Sequence, residues 1–125
     1  MTDKIQSFVQ LDAWRQSHKL VLAVFDCCKK MPQYDSLRTQ MERSALSTTS
    51  NIAEGFGRQS FQDKKHFYIM ARGSGYELLN QLMVAKDTGR INEEEYNELA
   101  FLSLNSTRLI HGLIRSLVKN GKAIS

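Results

Sequence analysis

A chain of 125 residues, 42% hydrophobic and 24% charged, is one domain's worth of sequence and can bury a core without disulfides or a structural metal. Its two cysteines, Cys27 and Cys28, are neighbours that diverge by about 100° on a helix, so they suit small reduced core residues and exclude a disulfide framework. A net charge of +4 permits contact with nucleic acid without requiring it. The longest apolar stretch, Leu20 to Phe25, is far short of the roughly 20 residues of a membrane span, and no basic-then-apolar leader opens the chain; a cytoplasmic protein with no membrane partner is expected.

One proline, Pro32, predicts long uninterrupted helices. The first helix is expected over about residues 12–30, where Leu11, Trp14, His18, Val21, Phe25 and Cys28 recur at three- and four-residue spacing as an inward stripe, with Asp12 as N-cap. Met31-Pro32-Gln33-Tyr34 ends it. The second helix, about 36–56, begins near Asp35 or Ser36 and turns Leu37, Met41, Ser44, Ala45, Thr48, Ile52 and Phe56 inward. Small residues there let a neighbour come close, and their hydroxyls can bond carbonyls one turn back. Gly55 and Gly57 suit a left-handed termination.

Ser60 and Asp63 have capping-box spacing ahead of a third helix over about 61–88, whose stripe is Phe67, Met70, Ala71, Ser74, Leu78, Leu82 and Ala85. Gly73 and Gly75 lie mid-helix, where each costs about 1 kcal/mol relative to alanine, and together they point to close helix contact. Gly89 is a natural C-cap. Asn92 to Glu95 form a second capping box that opens the fourth helix, about 93–120, with Leu99, Leu102, Ile110, Leu113, Ile114 and Leu117 on its apolar side. Four such helices with short connections predict a single all-α domain, an up-down-up-down bundle over residues 1–125.

Arg108, His111, Arg115, Lys119 and Lys122 share one face of the fourth helix, opposite Ile110, Leu113 and Leu117. Such a stripe either neutralises phosphates or is a solvated face whose cations complement the helix dipole. A second basic patch gathers Arg58, Lys64 and Lys65, with His66 and Arg72 beside Phe61, Phe67 and Tyr68; core packing is the favoured role for those aromatics. Arg43 and Glu54, three turns apart on one side of the second helix, are expected with Glu77 to form structural ion pairs at a helix or subunit contact, ahead of a reading of Glu54 and Glu77 as paired catalytic acids.

No Glu-x-x-His occurs, and His18, His66 and His111 fall on three different helices, so no metal site is expected. Gly55-Phe-Gly57-Arg58 is too short for a dinucleotide fingerprint, and no phosphate loop follows, so no cofactor is expected. All-helical ribonucleases of the HEPN type place His four to six residues after Arg, with those residues between; the pairs Arg15/His18, Arg58/His66 and Arg108/His111 do not fit. No catalytic residue is therefore assigned.

Phe8-x-x-Leu11-x-x-Trp14, Arg43-x-Ala45, Asn51-Ile52-Ala53-Glu54-Gly55, Gly57-Arg58, then Phe67, Ala71, Gly73-Ser74 and Glu77-Leu78 form one ordered set of motifs, within a match that covers about residues 8–119. In this set the chain resembles the bacterial four-helix-bundle proteins first noticed as reading frames in 23S rRNA intervening sequences. Thr48-Thr49 stand where that family commonly has Ile-Pro, leaving no proline to bend the helix, and Gly75 replaces a larger apolar residue. The resemblance implies a left-handed bundle assembling as a ring-like homopentamer, with no established enzymatic activity. It also implies a distant similarity to the accessory protein of diversity-generating retroelements, a basic pentameric bundle that binds nucleic acid and a reverse transcriptase.

The combined expectation is a non-enzymatic homo-oligomer, taken as a pentamer, whose basic surface binds RNA or DNA without reading bases. The competing expectation is a scaffold for a protein partner with no nucleic-acid role. A cryptic ribonuclease acting through His111 comes third.

Overall fold

In a computed structural model, the structure describes residues 5–119, with side chains through Leu117. A one-turn 3-10 helix (Phe8–Gln10) precedes four α-helices: α1 (Asp12–Cys28), α2 (Ser36–Gly57), α3 (Phe61–Asp87) and α4 (Glu93–Lys119). Consecutive helices pack against one another and α1 packs against α4, which is the cyclic order of an up-down-up-down bundle. The described residues include no strand.

The ends of the helices follow local chemistry. Asp35 accepts from the Leu37 amide at 3.0 Å to open α2, and Ser60 accepts from Asp63 at 3.1 Å to open α3. Asn92 and Glu95 exchange both capping-box bonds, at 2.8 and 2.9 Å. Asp12 does not cap α1; it lies in the first turn after Leu11, and the side-chain cap one step earlier is Ser7, which closes a capping box with Gln10. Among the described residues only Gly89 has a positive φ, 76°, where Arg90 N–H bonds the Ala85 carbonyl and Gly89 N–H the Lys86 carbonyl. The left-handed ending expected at Gly55 and Gly57 is absent: α2 runs through both and stops at Arg58 in extended backbone.

Two apolar clusters fill the bundle. One is built around Leu20, Val24, Cys28, Met41, Leu78, Leu82 and Leu99, the other around Leu11, Ile52, Tyr68, Ala71, Ile110 and Ile114. Between them lies a waist of small polar residues, Ser17, Thr48, Ser103, Ser106 and Thr107, all buried. Ser17 and Ser106 bond at 2.6 Å, Thr48 bonds the Ala45 carbonyl at 2.7 Å, and Ser103 bonds the Gly75 carbonyl at 3.4 Å. Close approach is what the small residues allow. A Cβ on Gly75 would lie 2.7 Å from Thr107 Oγ1, and one on Gly55 would lie 2.8 Å from the Tyr68 ring. Gly73 meets nothing within 4 Å, so helix contact accounts for one of the two mid-α3 glycines.

The inward stripe of α2 matches expectation, with Leu37 and Phe56 only partly buried. On α1 the stripe is phased differently: Ala13, Ser17, Leu20 and Val24 join Val21 and Cys28 inside, whereas Phe25 is exposed and Trp14 and His18 are half-buried. Trp14 stacks on His18 with ring centroids 4.6 Å apart and tilts against Phe8 at 5.4 Å. These aromatics therefore cover the flank of the second cluster. Met70 on α3 is also exposed, its inward place taken by Tyr68, Gly75 and Gln81.

Candidate nucleic-acid interface

Helices α3 and α4 run antiparallel, with Ser103 Oγ donating to the Gly75 carbonyl at 3.4 Å and Arg72 Nη1 contacting His111 Nδ1 at 3.0 Å. Arginine only donates, so Nδ1 accepts in this arrangement and the proton of the neutral ring sits on the other nitrogen. This register brings Lys65 and Arg72 of α3, seven residues apart, beside Arg108, His111 and Arg115 of α4, which recur every three or four residues. Arg108 donates to Asn105 Oδ1 at 2.7 Å, which steadies its side chain without neutralising it. From Leu99 to Lys119 α4 carries no acidic residue, and none of these five basic side chains forms an ion pair among the described residues. Lys65, Arg72, Arg108 and Arg115 thus make one outward face of positive charge without an ion-pair partner among the described residues, sited toward the C-terminal half of α4, and His111 adds a polar ring to it.

The expected stripe and second patch are thus partly merged and partly dissolved. Arg108, His111 and Arg115 are exposed together; the side chain of Lys119 and all of Lys122 lie outside the described residues. Lys65 joins the face through Arg72. Arg58 and Lys64 do not. Arg58 pairs with Glu54 at 2.7 Å and lies over the Phe67 ring, while Lys64 Nζ donates to the Phe56 carbonyl at 2.7 Å and Gly55 at 3.4 Å. Lys64 acts as the C-terminal cap of α2, and its burial there holds its pKa below the usual lysine value. Tyr68 is buried and its phenol is pushed up to about 12 by that burial, so it is no base-stacking platform.

The expected ion pairs of Arg43 with Glu54 and Glu77 are not made within the chain. Glu54 turns to Arg58, and Glu77 accepts a hydrogen bond from Ser44 at 3.3 Å. An eleven-residue spacing puts Arg43 and Glu54 on one side of α2 but three turns apart, too far for side chains to meet.

Two aromatic side chains at the edge of the basic face went unassigned as part of it. Tyr76 is 57% exposed and Phe101 70%, with Leu104 at 53% between them and Met83 nearby in register. The signal was present: Tyr76 follows Arg72 by four residues and Phe101 precedes Arg108 by seven, which are same-face spacings on their helices.

Comparison with known proteins agrees with this architecture. A solved Bacteroides thetaiotaomicron protein of the S23 ribosomal protein family, itself of unknown function, superposes with a TM-score of 0.77 at 21% identity, covering 82% of this chain and 95% of that one. At that identity the likeness concerns the fold. No curated protein matches the chain. The family model for the 23S rRNA-intervening sequence protein matches residues 9–112, nearly the whole bundle, and the chain belongs to that family.

Proposed function

We propose that the protein is a non-enzymatic ring of identical bundles whose α3/α4 basic face binds RNA or DNA through phosphates, without reading bases. The observation that carries the binding half is the cluster of Lys65, Arg72, Arg108, His111 and Arg115 on one face with no acidic neighbour on α4 beyond Glu98. Releasing condensed counterions from phosphates is the driving force such a face supplies. Support for self-association comes from two separate exposed apolar patches: Leu22, Phe25 and Leu46 on the α1/α2 side, and Tyr76, Met83, Phe101 and Leu104 on the α3/α4 side. Two different patches on one protomer make a head-to-tail contact, and such contacts close into rings when the rotation allows. Five copies is the number the family resemblance implies.

The test is native mass by light scattering, then titration with a labelled single-stranded RNA at low and high salt. A ring that binds at low salt and releases at high salt is expected, and Arg108→Glu/Arg115→Glu should abolish binding with native mass unchanged. Each lost phosphate contact should lower the slope of log affinity against log salt by about 0.7 for a single strand. Phe101→Asp should reduce the native mass to that of a monomer. A ring indifferent to RNA at low salt would reject the nucleic-acid reading and favour a protein-binding scaffold.

A further inference from the structure

On the other side of α3, against α2, lies an open cleft of about 250 Å³. It is lined by Gln40, Arg43, Ser44, Ser47, Glu77 and Gln81, with no apolar side chain among them. Helical spacing assembles it, since positions 40, 44 and 47 on α2 and 77 and 81 on α3 each share a face. Ser44 donates to Glu77 Oε1 at 3.3 Å, and Ser47 and Ser74 bond at 2.8 Å, which fixes the register of the two walls.

Among the described residues, the hydrogen bonds of this cleft do not close. Gln81 is only 7% exposed, between core residues Leu78 and Leu82, yet its buried Oε1 has no donor. An unsatisfied buried amide costs about 1–3 kcal/mol, and an apolar residue at position 81 would avoid that cost. The guanidinium of Arg43 has no hydrogen-bond or ion-pair partner among the described residues, and Glu77 has one donor for two oxygens. Arg43, Glu77 and the Gln81 side chain thus line one small polar space, with a cation and an anion among them.

We propose that this cleft binds a small zwitterion of the free α-amino acid class. The ligand carboxylate meets the fork of Arg43, its ammonium meets Glu77, and the amides of Gln40 and Gln81 take a polar side chain. The chemistry disfavours other occupants. A phosphate would face the Glu77 carboxylate with a single cation opposite. A nucleobase would find no aromatic or apolar wall for its ring face. No cluster of three potential metal ligands occurs among the described residues. The volume lies below the roughly 300–1,000 Å³ of sites for drug-sized molecules, which suits a ligand of amino-acid size.

The test is amide chemical-shift perturbation of the full chain by millimolar L-glutamine, L-glutamate and glycine, with acetate and methylamine as single-charge controls. Shifts confined to the α2/α3 walls with an amino acid, and absent with either control, are the expected result. Arg43→Ala and Glu77→Gln should each weaken that response at least tenfold. Gln81→Leu should remain folded, melt no lower than the parent, and bind at least tenfold more weakly. No localised shift with any of the three amino acids would overturn the proposal. So would a response that survives both Arg43→Ala and Glu77→Gln, or a fall in native mass in those variants, which would make the cleft a contact between copies. None of these readouts depends on RNA binding.

Discussion

Gly55 and Gly73 illustrate how one residue type serves opposite purposes on adjacent helices. A side chain on Gly55 would collide with Tyr68 ring carbons at 2.8 and 2.9 Å and with Phe67 Cβ at 3.0 Å, atoms that the packed bundle holds in place. Gly73 faces open space and contributes only its helix-weakening backbone entropy. Gly73→Ala should therefore stabilise the protein by about 1 kcal/mol, and Gly55→Ala should destabilise it by about 1–3 kcal/mol, both read from urea unfolding. A Gly55→Ala variant as stable as the parent would contradict the close α2/α3 contact. The cysteines supply a second check at this scale. Burial pushes the Cys28 thiol up to about 12 and also raises Cys27, so neither is a ready nucleophile. Native protein at mildly alkaline pH should react with a thiol reagent at least tenfold more slowly than unfolded protein, and rapid labelling of Cys28 would refute that placement.

Among the elements, α4 has the most elaborate start. Asn92 and Glu95 cap each other, and Glu95 also pairs with Lys30 at the end of α1, so one carboxylate ties two helix ends together. Arg90 donates to Asp35 Oδ2 at 2.7 Å, which joins the α3/α4 turn to the start of α2. Asn92→Ala should cost about 1 kcal/mol, seen as a lower urea midpoint with an unchanged slope. An unaltered midpoint would mean that the acidic first turn suffices without the cap. The polar waist explains why α2 and α4 carry serine and threonine on buried faces: Thr48 and Thr49 bond carbonyls one turn back, and Ser103 and Ser106 bond partners across the interface, so the helices approach closely.

For the whole molecule, stability should fall at both ends of the pH range. The Lys30 ammonium and the Asn92 amide hold Glu95 below its ordinary 4.5, and the Arg90 guanidinium holds Asp35 below its ordinary 3.8. Carboxyls depressed in the fold stabilise it above their unfolded values, and that contribution is lost as pH falls through the lower folded values. Cys28 and Tyr68 are raised by burial to about 12 from ordinary values of 9.0 and 10.0. Their contribution is complete below the unfolded values and disappears as pH rises through about 12. Thermal midpoints should be flat between those windows and drop on either side, with Glu95→Gln reducing the acid-side drop. An acid limb identical in Glu95→Gln and parent would remove Glu95 from that account.

The four helices, their order and nearly all their ends were legible in the sequence, because periodicity, capping residues and Pro32 act over a few residues and need no partner. The α2 stripe was legible for the same reason. The family resemblance, read over about residues 8–119, takes in the region that the family model matches, residues 9–112. What the sequence could not decide was which of several adequate stripes turns inward on α1, since Phe25 and Val24 are equally apolar and only packing against α2 and α4 chooses between them. Nor could it decide which cations remain available. Arg58 and Lys64 read as the same kind of residue as Lys65 and Arg72, but Glu54 and the carbonyl end of α2 take the first two. The merging of Lys65 and Arg72 with the α4 stripe, and the cleft around Gln81, arise from residues about 30 to 50 positions apart brought side by side. Local spacing determines a helix and its faces; which faces meet is a property of the packed bundle, where close contact and unpaired charge are settled between elements.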